Sequence, residues 1–89
     1  MLNACNIVIV GGEGDLAFRK LYPALYSLHC ENLLAETTKI VGFGRGGYEN
    51  EAFFEAMRDW TEKSDYVKDF DKKNWQSFCK RVIQFVGDA

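Results

Sequence analysis

Three glycines and a small residue open the region richest in chemistry. Gly11, Gly12 and Gly14 stand in "GGEGDLA", with Ala17 closing the block. Gly12-x-Gly14-x-x-Ala17 and the looser Gly11-x-x-Gly14-x-x-Ala17 overlap in it. Glycine permits a tight turn and lets backbone N–H groups approach an anion, and a small residue lets the following helix pack on its strand. The chemistry on offer is the cradling of a pyrophosphate. Glu13 cuts against it, because a carboxylate in that loop repels phosphate. Asp15 caps the following helix or sits in its first turn, where a negative charge favours the positive helix end. Arg45, in "FGRGG", offers a planar fork to a second phosphate.

These residues need elements to position them. "NIVIV", Asn6 to Val10, reads as a parallel strand buried on both faces, since it is apolar without alternation. A helix follows from about Asp15, with Ala17, Leu21, Ala24, Leu25 and Leu28 on one apolar face. Pro23 removes the hydrogen bond to the Arg19 carbonyl and predicts a kink. "KIVGF", Lys39 to Phe43, is a second buried strand, and Gly44 to Tyr48 a flexible loop. Asn50 is the expected N-cap of a helix whose core face is Phe53, Met57 and Trp60. Thr61 to Lys73 reads as a solvated helix end and connection. Trp75, Phe78, Cys79 and Val82 form a third helical stripe, and Val82 to Val86 a third strand.

Strands alternating with helices imply right-handed crossovers and a parallel sheet. The expected fold is α/β: half of a Rossmann-type doubly wound sheet, three strands with flanking helices, over residues 1–89. In such a half the first strand has one unpaired side, an apolar edge that invites self-association. Following a strand and opening a helix, the glycine fingerprint marks a nucleotide loop. An acid at the end of the second strand reads the ribose 2′-hydroxyl of NAD, whereas an arginine suits the 2′-phosphate of NADP. No acid precedes Glu49 there, and Arg45 favours NADP.

Composition bounds the rest. The chain has 89 residues, enough for one small domain, and 47% are apolar. A net charge of −2 argues against nucleic acid or a polybasic membrane surface. No apolar run approaches the roughly 20 residues of a membrane span. Cys5, Cys30 and Cys79 have no C-x-x-C spacing and read as reduced cytoplasmic thiols. His29 is read as a packing or surface residue, and no metal is expected.

"GGEGDLAFRKLYPALYSL", "KIVGFGR" and the later Trp75, Phe78 and Arg81, followed by a strand and "GD", together resemble the N-terminal part of glucose-6-phosphate dehydrogenase. The resemblance covers nearly the whole chain. It implies an NADP-binding segment of an oxidoreductase that passes a hydride from C1 of glucose 6-phosphate to NADP, the first step of the pentose phosphate pathway. It implies that Gly11, Gly12, Glu13, Gly14, Asp15 and Leu16 form the pyrophosphate turn, that Arg45 pairs with the 2′-phosphate, and that Lys20 faces the substrate side or simply solvent. Two departures stand out: Glu13, where the family often has Ser or Thr, and Gly46, where a polar side chain often follows the arginine. The family's catalytic histidine, its sugar-phosphate lysines and its larger domain are expected beyond Ala89. The 89 residues alone are therefore expected to be inactive, and glucose 6-phosphate a partner only with that remainder. A standalone or degenerate binding or interaction module remains the alternative.

Overall fold

β-Branched runs favour extended backbone, and three of them form the strands. The computed structural model describes residues 5–87. The strands are β1 (Asn6–Val10), β2 (Lys39–Gly44) and β3 (Val82–Val86). They form one parallel sheet in the order β1-β2-β3, with Val8 opposite Val41 and Phe43 opposite Phe85. Among the described residues β1 pairs with β2 alone and is an edge. Asp88, in the terminal "GD", lies outside the described residues.

Helical geometry begins at Asp15. A π-helical turn over Ala17–Leu21 then runs into α1 (Tyr22–Cys30). The expected irregularity thus lies just before Pro23. The Tyr22 N–H reaches back to Ala17 O, five residues away. A wider turn here avoids the carbonyl clash that proline imposes on a regular helix.

The π turn also corrects the expected apolar face. One extra residue in the turn rotates the rest of the helix by about 100°. Leu21 is therefore exposed, and Phe18, Tyr22 and Tyr26 are buried in its stead. Just past the end of α1, Asn32 adopts φ 59°. Asn32 N–H donates to His29 O and Leu33 N–H to Leu28 O, a helix-terminating pair of bonds that asparagine tolerates.

α2 (Asn50–Lys63) buries Phe53, Met57 and Thr61. Two expectations fail in it. Glu49 holds the N-cap position, and Asn50 is the first helical residue, its amide donating to Gln84. Trp60 is exposed, under the Arg19 and Lys63 cations, while Thr61 turns inward and donates to Met57 O at 2.6 Å. A hydroxyl satisfied within its own helix can be buried where a larger indole finds room only outside. α3 (Lys72–Cys79) is capped by Asp71, whose carboxylate accepts from Lys73 N–H. It buries Trp75 and Phe78 as expected, but Val82 belongs to β3 and not to this helix.

The helices lie over one sheet face, where Ile9, Ile40 and Val82 are buried. Phe18, Tyr22 and Phe53 form one aromatic cluster, with Tyr22 edge-on to Phe53 at 5.7 Å. Tyr26, Phe70, Trp75 and Phe78 form a second. β1 is consequently covered on one side only, against the expectation of two buried faces: Val8 and Val10 are 60% and 82% exposed.

Candidate dinucleotide groove

The C-terminal ends of β1 and β2 open into a groove of about 360 Å³. Val10 and Phe43 form its apolar wall, and Gly11, Glu13, Gly14, Gly44, Arg45 and Gly47 complete it. Ligands of open α/β sheets bind at this end of the strands.

The glycines shape the groove through backbone contact. Gly11 adopts φ 75°, a region that favours glycine. Gly12 presses on β2: a Cβ there would lie 2.5 Å from Gly42 Cα. Gly42 in turn leaves space for the Tyr22 hydroxyl, which donates to Gly12 O at 2.8 Å. Burial, with the Glu13 carboxylate nearby, pushes the Tyr22 phenol well above its ordinary range, so it stays a donor. The Gly11 and Gly12 N–H groups both donate to Phe43 O, and Gly14 N–H donates to Gly11 O. All three glycine amides are thus engaged inside the chain.

Glu13 has a defined place. Its Oε1 accepts from Gly47 N–H at 2.8 Å and its Oε2 from Gln84 Nε2 at 2.7 Å. Gln84 Nε2 also donates to Tyr48 O, and Gln84 Oε1 accepts from Asn50. The carboxylate lies over Gly44, where a Cβ would meet its Cδ at 2.5 Å. Glu13 therefore ties the glycine loop to the β2–α2 loop and to β3. The departure at Gly46 has a backbone reason: φ is 88° there, where larger residues are strained.

Arg45 lines the same groove, is exposed, and makes no ion pair among the described residues. Three expected site residues point their side chains elsewhere. Asp15 is exposed at the start of the helix and pairs with Arg19 at 3.6 Å. Leu16 is 66% exposed on the outer helix surface beside Asp15, Arg19 and Lys20. Lys20 sits over the Tyr66 ring at 5.9 Å, in a separate hollow with Trp60 and Lys63. Among the described residues there is no cluster of metal-ligating side chains.

Sequence reasoning missed Gly42, Gly44, Gly47 and Gln84. Two signals existed. Gly42 and Gly44 alternate on one side of a strand, which marks a close approach, and Gln84 is a lone polar residue in an apolar strand.

Relatives agree with this geometry. The family model described as "Glucose-6-phosphate dehydrogenase, NAD binding domain" matches residues 8–89. Glucose-6-phosphate 1-dehydrogenase of Chlamydia muridarum is 40% identical over 79 residues, covering 89% of this chain and 16% of that protein. The Kluyveromyces lactis enzyme of the same name is 40% identical over 81 residues, covering 91% of this chain and 16% of that one. A solved glucose-6-phosphate dehydrogenase in complex with glucose-6-phosphate superposes with a TM-score of 0.77 and 34% identity, over 93% of this chain and 17% of that one. The structure from Mycobacterium avium, 23% identical, shares the fold with a TM-score of 0.82 over 97% of this chain and 18% of that one. The chain thus spans about a sixth of the length of these relatives. Matched over residues 8–89 by the family model and 40% identical to such enzymes, the chain belongs to the glucose-6-phosphate dehydrogenase family and lies in the region of its NAD-binding domain.

Proposed function

We propose that this chain supplies the NADP-binding segment of a glucose-6-phosphate 1-dehydrogenase. The observation that carries the reading is the groove itself: a glycine loop and Arg45, without an ion pair among the described residues, line one groove of about 360 Å³. That size accommodates part of a dinucleotide, with apolar residues against a base and a few polar groups to orient it. Because the Gly11, Gly12 and Gly14 amides are engaged, we assign the phosphate-facing donors to the N–H groups of Glu13, Asp15 and Leu16 at the helix start. Arg45 would hold the 2′-phosphate. The bound cofactor supplies the hydride acceptor, and the protein must place a sugar beside it. A base for the C1 hydroxyl and a glucose 6-phosphate site lie outside residues 1–89 in this reading, with Lys20 at most a substrate-side contributor. Cys5, Cys30 and Cys79 are all free, which fits the reducing cytoplasm. No helix among the described residues is long and apolar enough to cross a membrane.

Calorimetric titration with NADP tests this. Saturable binding that weakens about tenfold in Arg45→Ala supports it. No saturable heat, or binding unaffected by Arg45→Ala, removes it. Oxidation of glucose 6-phosphate by the 89 residues alone would show that the base lies inside the chain.

A second reading has its own observation. The β1 edge and the exposed Val8, Val10, Ile83 and Phe85 favour self-association. A concentration-independent monomer in sedimentation would remove it.

A further inference from the structure

In this fold an acidic side chain at the end of the second strand accepts a hydrogen bond from the ribose 2′-hydroxyl. Residues Phe43 to Tyr48 contain no acid. The folded chain nevertheless places one there. Glu13 comes from the first loop and crosses to the end of β2, where its carboxylate lies over Gly44. It is fixed in place by Gly47 N–H at 2.8 Å and by Gln84 Nε2 at 2.7 Å. Gln84 is itself anchored to Tyr48 O and Asn50. Glu13 is half-buried and lines the same groove as Arg45.

We propose that Glu13 is a specificity-determining residue that reads the adenosine 2′ position, admitting NAD alongside NADP. The proposal rests on the dinucleotide reading of the groove. An ionised carboxylate has about four acceptor positions, and the two bonds observed leave others free for a hydroxyl. A ribose 2′-hydroxyl is a donor and completes the set. A 2′-phosphate has little to donate, meets the carboxylate charge, and finds the Gly47 N–H already taken. Arg45 acts in the opposite sense, attracting the 2′-phosphate and gaining little from a hydroxyl. One groove thus carries both charges, and Glu13 narrows the preference for NADP that Arg45 alone would impose. The loop departure at position 13 becomes a second way to present the acid that the second strand lacks.

The decisive titration compares NADP, NAD and NAD lacking the adenosine 2′-hydroxyl, first on the unaltered chain. We expect NAD to bind about tenfold more tightly than its 2′-deoxy form, the scale of a hydrogen bond to a charged group. In Glu13→Ala, which removes the acceptor, that gap should close and NADP should tighten, and circular dichroism checks that the variant is folded. Equal binding of NAD and its 2′-deoxy form by the unaltered chain overturns the proposal, whether or not the variant folds. So does a gap that persists in a folded Glu13→Ala. NADP binding without NAD binding overturns it too, while leaving the cofactor reading intact. Failure of every dinucleotide to bind removes the cofactor reading and this proposal with it.

Discussion

The two faces of the sheet have similar side chains and opposite surroundings. On one, Ile9, Ile40 and Val82 are buried under Tyr22, Phe53 and Phe78. On the other, Val8, Val10, Ile83 and Phe85 are 46% to 82% exposed, with Phe43 stacked on Phe85 at 5.4 Å. The strands pair in sequence order, so both crossovers run in one direction. Right-handed crossovers that advance the same way deposit their helices on the same side. The difference teaches that an apolar strand states only that it can be buried. Strand order decides which face is covered.

The largest test of this contrast pairs two phenylalanines. Phe53→Ala empties a fully buried position and should cost about 3–5 kcal/mol. Phe85→Ala removes the same ring from a half-exposed position, and should cost about 0.5 kcal/mol. Urea unfolding of both variants reads the gap. Equal losses would mean that the second face is covered in solution.

Next in size are the glycine contacts beneath the covered face. Gly42→Ala puts a methyl against the Tyr22 hydroxyl and 3.3 Å from Phe53 Cζ. Overpacking of this kind costs about 1–3 kcal/mol. Thermal unfolding should show the drop, and Tyr22→Phe in the same background should recover part of it by clearing the clash.

A charge sharpens the open face. Phe85→Lys leaves the core untouched and should change stability little. If copies associate through this face, sedimentation should shift toward monomer, and an unchanged distribution would place the association elsewhere.

The smallest effect is a pH dependence beneath the covered face. Arg81 donates its Nε–H to His29 Nδ1 at 2.8 Å and also binds Ala35 O and Thr38 O. Burial first, then the Arg81 charge, lowers the His29 pKa from its ordinary 6.5. The folded state therefore holds the neutral ring, and the unfolded state binds more protons below pH 6.5. Stability from this site is complete above 6.5 and is lost as pH falls through the depressed folded value. The melting temperature should decline across that window, and less so in His29→Gln.

Much of this was legible in the chain itself. The β-branched runs placed all three strands, and the glycine fingerprint with Arg45 pointed to one groove that the fold does assemble. Local chemistry suffices there, because extended backbone and tight turns depend on each residue and its neighbours. Trp60, Leu21 and Asn50 were misread for lack of non-local facts. Helical periodicity names a stripe, but the π turn before Pro23 rotates it, and only packing decides whether Trp60 or Thr61 turns inward.

Glu13 shows the boundary most sharply. From sequence it is an anion beside a phosphate loop. Its bonds to Gly47 and Gln84 span 34 and 71 residues along the chain. Sequence alone determined the strands, the turn and the family to which they belong, since each is written in contiguous residues. Tertiary structure decided which sheet face is covered, which glycines make room, and that the acid at position 13 stands at the end of the second strand. Those depend on elements far apart in the chain being brought within hydrogen-bonding distance of one another, and no local pattern encodes that approach.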